Sequence, residues 1–186
     1  MPEPERLTVP DASAWREWLD QHEDTSDGVW LILTKKAGAP DTTLTYAQAL
    51  EEALCSGWID GRRRSLDDRT FQQHFTPRRA RSIWSQRNVG FVATLIGEGR
   101  MRPRGQAEID RAKADGRWDR AYAGQAAMTI PDDLTAALAA QPGASAAFDA
   151  LPRAEQFSHL HQVVTAADAA KRLARIAKVV ERVTPG

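Results

Sequence analysis

The stretch CSGWIDGRRRSLDDRTFQQHFTPRR, residues 55–79, decides the fold. It begins apolar, passes through Gly57-Trp58-Ile59-Asp60-Gly61, and then becomes densely basic. Two strands are expected, over 58–66 and 70–76, joined near Asp67-Asp68, with Pro77 ending the second. Along the first, Trp58, Asp60, Arg62 and Arg64 point one way, and Ile59, Gly61, Arg63 and Ser65 the other. Along the second, Phe71 and Phe75 oppose Thr70, Gln72, His74 and Thr76. Loop length sets which groups meet. A four-residue turn over 66–69 places the phenylalanines beside Asp60, Arg62 and Arg64. A three-residue turn places them with Ile59 and Gly61, and leaves one polar face bearing Trp58, Asp60, Arg62, Arg64 and His74. Both registers are open at this point. The polar face is the one that yields a site. The plainer reading has Asp60 pairing with neighbouring arginines in a solvated ion-pair network of modest worth.

Upstream, Asp11 is placed to cap a helix over 12–22, with Trp15, Trp18 and Leu19 on one face. VWLILTK reads as a buried strand over 29–35, followed by a loop over 37–43. Thr45 with Gln48 makes a capping box that opens a helix over 46–56. Tyr46, Ala49, Leu50, Ala53 and Leu54 form its stripe, and Gly57 sits where a helix-ending glycine belongs. Downstream, Ser85 is placed to cap a helix to about residue 98, with Val89, Val92, Leu95 and Ile96 inward. Pro103 opens another to about 115. From Ile130 the chain turns alanine-rich, with helices expected over 131–140, 144–151, 153–164 and 168–183. The last should bury Leu173, Ile176, Val180 and Val183. The fold expected is α+β: a small antiparallel sheet of about three strands flanked by helices. A core domain is drawn over 1–125, with a helical region over 126–186 packed on it.

The chain has 186 residues, is 42% hydrophobic and has zero formal net charge, so no global field drives it onto nucleic acid or a membrane. Its charge is nonetheless segregated. Residues 1–28 hold eight acids, whereas residues 62–104 hold eleven arginines and three acids. No apolar run is long enough to span a bilayer, and the amino terminus has no signal-peptide pattern. A cytoplasmic protein without membrane insertion is the expectation.

Familiar catalytic and cofactor motifs are missing. GEGRMRPRG lacks the spacing of a phosphate-binding loop, and no HExxH is present. His159 and His161 are two apart, on different faces of a helix, and read as exposed rather than as metal ligands. Cys55 is the only cysteine. It falls in the last turn of its helix, where the dipole opposes a thiolate, and reads as a buried, inert group. No catalytic residue, metal or cofactor is expected. The arginines that follow the hairpin offer a different chemistry. Arg78, Arg79 and Arg87 flank Trp84 and Ser85, and free N–H groups at a helix start beside guanidinium groups suit phosphate or carboxylate. The alternative has Trp84 packed on the sheet with the arginines lying over it.

LTYAQALEEALCSGWIDGRRRSLDDRTFQQHFTPRRARSIWSQRN, residues 44–88, resembles the YdeI/OmpD-associated, or bacteriocin-protection, family. GEGRMRPRGQAEIDRAKADGRW is similar to that family's following segment, and IPDDLTAALAAQPGASAAFDALPRAEQFSHLHQVV to its carboxy-terminal helical domain. One departure is Ala170-Lys171-Arg172 where the family tends to read Glu-Thr-Arg, although Arg175, Ile176 and Lys178 match. The resemblance implies tolerance of bacteriocins or cationic antimicrobial peptides and association with an outer-membrane porin; it implies no reaction and no cofactor. A basic hairpin repels cationic peptides, so the acidic amino-terminal segment is the better surface for them.

These readings converge on a non-enzymatic cytoplasmic binding protein with a small anionic ligand. Asp60 orients the arginines; Arg62, Arg64, Arg78, Arg79 and Arg87 hold the anion; Tyr46, Trp58 and Trp84 wall the pocket, with His74 and Ser85 at its edges. Two alternatives are an enzyme using Asp60 or His74 as acid–base group, and nucleic-acid binding through the arginines. The absence of a known nucleic-acid motif disfavours the second.

Overall fold

The computed structural model describes residues 5–35 and 39–184. In chain order the elements are β1 (Arg6–Leu7), α1 (Ala12–His22), β2 (Val29–Thr34), α2 (Tyr46–Cys55), β3 (Trp58–Ser65), β4 (Thr70–Pro77), α3 (Gln86–Gly97), α4 (Pro103–Ala114), α5 (Asp132–Ala139), α6 (Ala144–Asp149), α7 (Arg153–Val164) and α8 (Ala169–Val183). The protein is α+β. The sheet runs β1-β2-β4-β3. It has four strands rather than three and is mixed, because β1 pairs parallel to β2. Two residues of strand carry no period, so β1 has no signature in the sequence. Ala37 and Gly38 of the expected 37–43 loop lie outside the described residues.

Local chemistry explains the ends of the helices. Asp11 accepts a hydrogen bond from the Ala14 N–H at 3.0 Å and starts α1. Thr45 and Gln48 form the full capping box of α2. Gly57 adopts φ 71°, the left-handed turn that ends α2 and feeds β3.

By compactness the chain divides into two units, Met1–Ser82 with Asn88–Asp119, and Ile83–Arg87 with Arg120–Gly186. In the first, Val29, Leu31 and Leu33 of β2 alternate onto one face with Phe71 and Phe75 of β4 and are buried. The tryptophans of α1 close over that face. Trp15 packs edge-on against Trp58 with ring centroids 6.4 Å apart, and stacks on Trp18 at 5.2 Å. α3 is rotated from the expected stripe: Asn88, Val92 and Leu95 are buried, and Ile96 is exposed.

The second unit has its own core of Leu134, Leu138, Phe148, Leu160, Val163, Ile176, Val179 and Val183. Val179 replaces Val180 in the expected seam of α8, and Leu173 is 66% exposed. Two arginines account for the rotation. Arg172 donates to both oxygens of Asp133, at 2.6 and 2.8 Å, and to the Val163 carbonyl. Arg175 donates to the Gln162 carbonyl. Both thus donate to carbonyls in the last turn of α7, and this ties α8 to it. Among the described residues, no helix is long and apolar enough to cross a membrane.

Candidate functional site

Each expected hairpin register is realised in one half of the hairpin. Next to the turn, Ser65 opposes Phe71, Arg64 opposes Gln72 and Arg63 opposes Gln73. Leu66 N–H reaches the Thr70 carbonyl across a tight tip over 67–69, and Asp67 closes it by accepting from the N–H groups of Arg69 and Thr70. At the other end, Asp60 opposes Phe75 and Ile59 opposes Thr76. Between Asp60 and Arg63 the register shifts by one residue. This β-bulge places Gly61 and Arg62 across from His74, and Gln73 Nε2 bonds the bulge carbonyls of Gly61 and Arg62 at 2.8 and 3.2 Å.

The bulge divides the residues expected to share a polar face. Trp58 and Asp60 join the buried face with Phe75, whereas Arg64 and His74 lie on the opposite face. Neither uniform register allows for this, because an extra residue reverses the alternation midway. Trp58 is fully buried and donates through Nε1 to the Glu23 carbonyl at 3.3 Å, so it is core rather than pocket wall. Asp60 does not orient arginines. It accepts the Tyr46 hydroxyl at 2.7 Å and makes no salt bridge among the described residues. An Asp60–His74 acid–base pair is not assembled, since the two side chains project from opposite faces of the sheet.

On the far face, Trp30 lies between Arg64, whose guanidinium is 4.5 Å from the ring centre, and His74, whose ring centroid is 4.9 Å away. Burial, and then the charges of Arg62 and Arg64, hold the His74 pKa below its usual value, so the ring packs as a neutral group. Arg78 is buried, and its N–H donates to the Gly57 carbonyl at 3.0 Å. Arg79 is exposed in a turn with Ser82. Trp84, Ser85 and Arg87 belong to the second unit. There Trp84 is buried and Ser85 bridges to Tyr122. The first N–H of α3, from Gln86, already bonds the Tyr122 carbonyl at 2.9 Å. The expected open helix start is therefore partly closed by main chain.

What the buried face gathers instead is a cleft of about 340 Å³. The start of α2 (Thr45, Tyr46, Ala47) forms one wall; Lys35, Arg63 and Phe71 form the other. The register next to the turn puts Arg63 on this side, where its guanidinium stacks 3.8 Å over Phe71. Lys35 is anchored by Ser65 Oγ at 2.8 Å and the Asp67 carbonyl. Two cations and the positive end of a ten-residue helix thus converge on one concavity. Tyr46 was expected in a site; Lys35 and Arg63 were not. The tight tip sets Arg63 on this side, the bulge adds Asp60 to it, and no local motif encodes the combination.

The largest charge cluster also lay beyond the reach of sequence reasoning. Glu52 is buried and meets three arginines: Arg16 at 2.9 Å, Arg100 at 2.7 Å and Arg102 at 3.3 Å. Burial alone would raise its pKa, but hydrogen bonds from Arg16 and Arg100 outweigh that and hold it below the ordinary value. Arg102 also pairs with Asp20 at 2.7 Å, and Arg104 with Asp24 at 2.9 Å. Asp20 and Asp24, two of the eight amino-terminal acids expected to face a cationic partner, are thus tied to this chain's own arginines. By contrast, Arg62 and Arg63 make no salt bridge among the described residues.

Cys55 is buried, and burial, reinforced by Glu52, raises its pKa to about 11. Well under ~0.1% is thiolate at pH 7.5. The folded protein should therefore resist maleimide labelling for hours and label within minutes in denaturant. Rapid labelling in native buffer would contradict this burial. His159 and His161 are half-buried rather than exposed: His161 packs edge-on against Tyr122 at 4.6 Å, and His159 lies near Phe148. No group of residues suited to a metal ion occurs among the described residues.

Two family models match the chain. Residues 7–108, more than half of it, match a domain of unknown function (DUF8412), and residues 127–186 match the family described as bacteriocin-protection, YdeI or OmpD-associated. The hairpin falls within the first match, so the YdeI/OmpD-associated relation rests on the carboxy-terminal helices. No curated protein and no solved structure matches the chain. The chain belongs to the DUF8412 domain family, matched over residues 7–108, and its residues 127–186 match the model of the YdeI/OmpD-associated family.

Proposed function

We propose that this is a non-enzymatic binding protein of the stress-resistance type, acting in the cytoplasm, whose hairpin cleft holds an anion between Lys35, Arg63 and the start of α2. One contrast carries the reading. Arg16, Arg100, Arg102 and Arg104 each meet a carboxylate, whereas Arg62 and Arg63 make no salt bridge among the described residues. Stacking on Phe71 presents the Arg63 fork towards a cleft that Lys35 also lines. The family description of residues 127–186 names bacteriocin protection. A basic hairpin repels cationic peptides, so a protective role runs through an anionic partner rather than by sequestering the toxin.

The test is a thermal-shift series with phosphate, sulfate, nucleotides and dicarboxylates. At about ten times Kd an anion contributes about 1.4 kcal/mol, which reads as a rise of several degrees. The rise should vanish in the Lys35→Ala/Arg63→Ala double variant and persist in Arg79→Ala. If no anion raises Tm, the reading fails.

A further inference from the structure

We infer that the outer edge of β3 accepts an extended acidic segment of a partner protein by strand addition; this rests on the anion-binding reading above and names the partner of the same site. β3 ends the sheet, and Gly61–Ser65 are all exposed. An edge strand offers a row of outward N–H and C=O groups, and an added strand supplies their partners. Strand alternation places a cation on either side of that row. Arg63 and Lys35 stand on one face of the sheet, Arg62 and Arg64 on the other. Successive side chains of an added strand alternate between faces, so acidic residues at consecutive positions all meet positive charge. Arg63 and Arg64 are already ordered by stacking on Phe71 and Trp30, which lowers the entropy cost of using them.

Charge selects the occupant. A second copy of β3 would set arginines against arginines, which disfavours pairing between copies. Asp67 at the hairpin tip is turned inward onto Arg69 and Thr70, so it does not oppose an acidic strand. The Gly61 and Arg62 carbonyls are taken by Gln73, which limits the read-out to a short segment beside Arg62–Ser65. Nucleic acid is served less well by a positive strip one strand wide on a chain of zero net charge.

The experiment is fluorescence anisotropy on the full chain with three labelled probes: octaglutamate, octaglutamate N-methylated at alternate residues, and a single-stranded octanucleotide. N-methylation keeps the charge and removes the N–H donors. Octaglutamate should bind at least ~10-fold more tightly than its N-methylated form and than the oligonucleotide. An Arg63→Glu/Arg64→Glu variant should lose that binding while keeping its circular dichroism spectrum; the comparison between probes on the unaltered chain needs no variant. Equal affinity for both peptides overturns strand addition. If phosphate still stabilises the protein through Lys35 and Arg63, that result leaves the anion reading standing. Tighter binding of the oligonucleotide overturns the choice of partner, and no binding by any probe, with no phosphate stabilisation, sinks both.

Discussion

Gly105→Ala should unfold the first unit, or lower its stability by more than ~3 kcal/mol, beyond the usual range for overpacking. A Cβ at Gly105 would lie 2.1 Å from the Cys55 carbonyl oxygen and 2.8 Å from its carbon. These are main-chain atoms, so no rotamer change relieves the clash. The carbonyl has little freedom to move. It accepts the Arg102 N–H at 3.1 Å, and two residues on the chain passes through Gly57 at φ 71°. Gly57 makes the reciprocal approach, its own Cβ position lying 2.9 Å from Glu108 Cγ. The end of α2 and the start of α4 therefore cross backbone to backbone. Gly90 in α3 is the control. A Cβ there meets nothing within 4 Å, and Gly90→Ala should stabilise by about 0.5–1 kcal/mol. Urea denaturation measures both. A Gly105→Ala variant as stable as the parent would refute the crossing.

Glu52→Gln should cost about 3 kcal/mol at pH 7, the lower end for breaking a buried ion cluster. The amide keeps the shape but leaves Arg100 and Arg102, with side chains 28% and 14% exposed, without their central carboxylate. Arg16 is 47% exposed and turns to water at little cost, which keeps the loss at the lower end. The effect depends on pH with a definite sign. The folded-state pKa of Glu52 is below its ordinary value of 4.5. Its stabilisation is therefore complete above about that pH and is lost as pH falls through the depressed value. The gap between parent and Glu52→Gln should be widest near neutrality and close in acid. A gap that is constant with pH would mean that Glu52 does not act through its charge.

The parts of this fold that could be read from sequence are those decided within a few residues. Asp11 caps α1, Thr45 and Gln48 box the start of α2, and Gly57 ends it. All three are local hydrogen-bond problems with one economical solution. The hairpin was legible as two strands, but its register was not. The choice between turn lengths assumed a uniform alternation, and Gln73 stabilises an extra residue at Gly61–Arg62 that no turn rule anticipates. The tip register sets Arg63 on the side of Phe71 and Lys35, and that single extra residue turns Asp60 to the same side and parts it from His74. The Glu52 cluster was hidden for another reason: Arg16, Arg100 and Arg102 come from 36, 48 and 50 residues away. Charge counts showed acids and arginines segregated along the chain, and the fold brings Asp20 and Asp24 back to Arg102 and Arg104. The basic surface that remains is narrower than composition suggests, and it is centred on β3.

The most direct test of that surface is a ¹H–¹⁵N titration of the protein with inorganic phosphate. The amides of Lys35, Tyr46, Ala47 and Arg63 should shift together and saturate with one Kd. Shifts confined to His74 or to Ser85–Arg87, or none at all, would contradict an anion site at the start of α2.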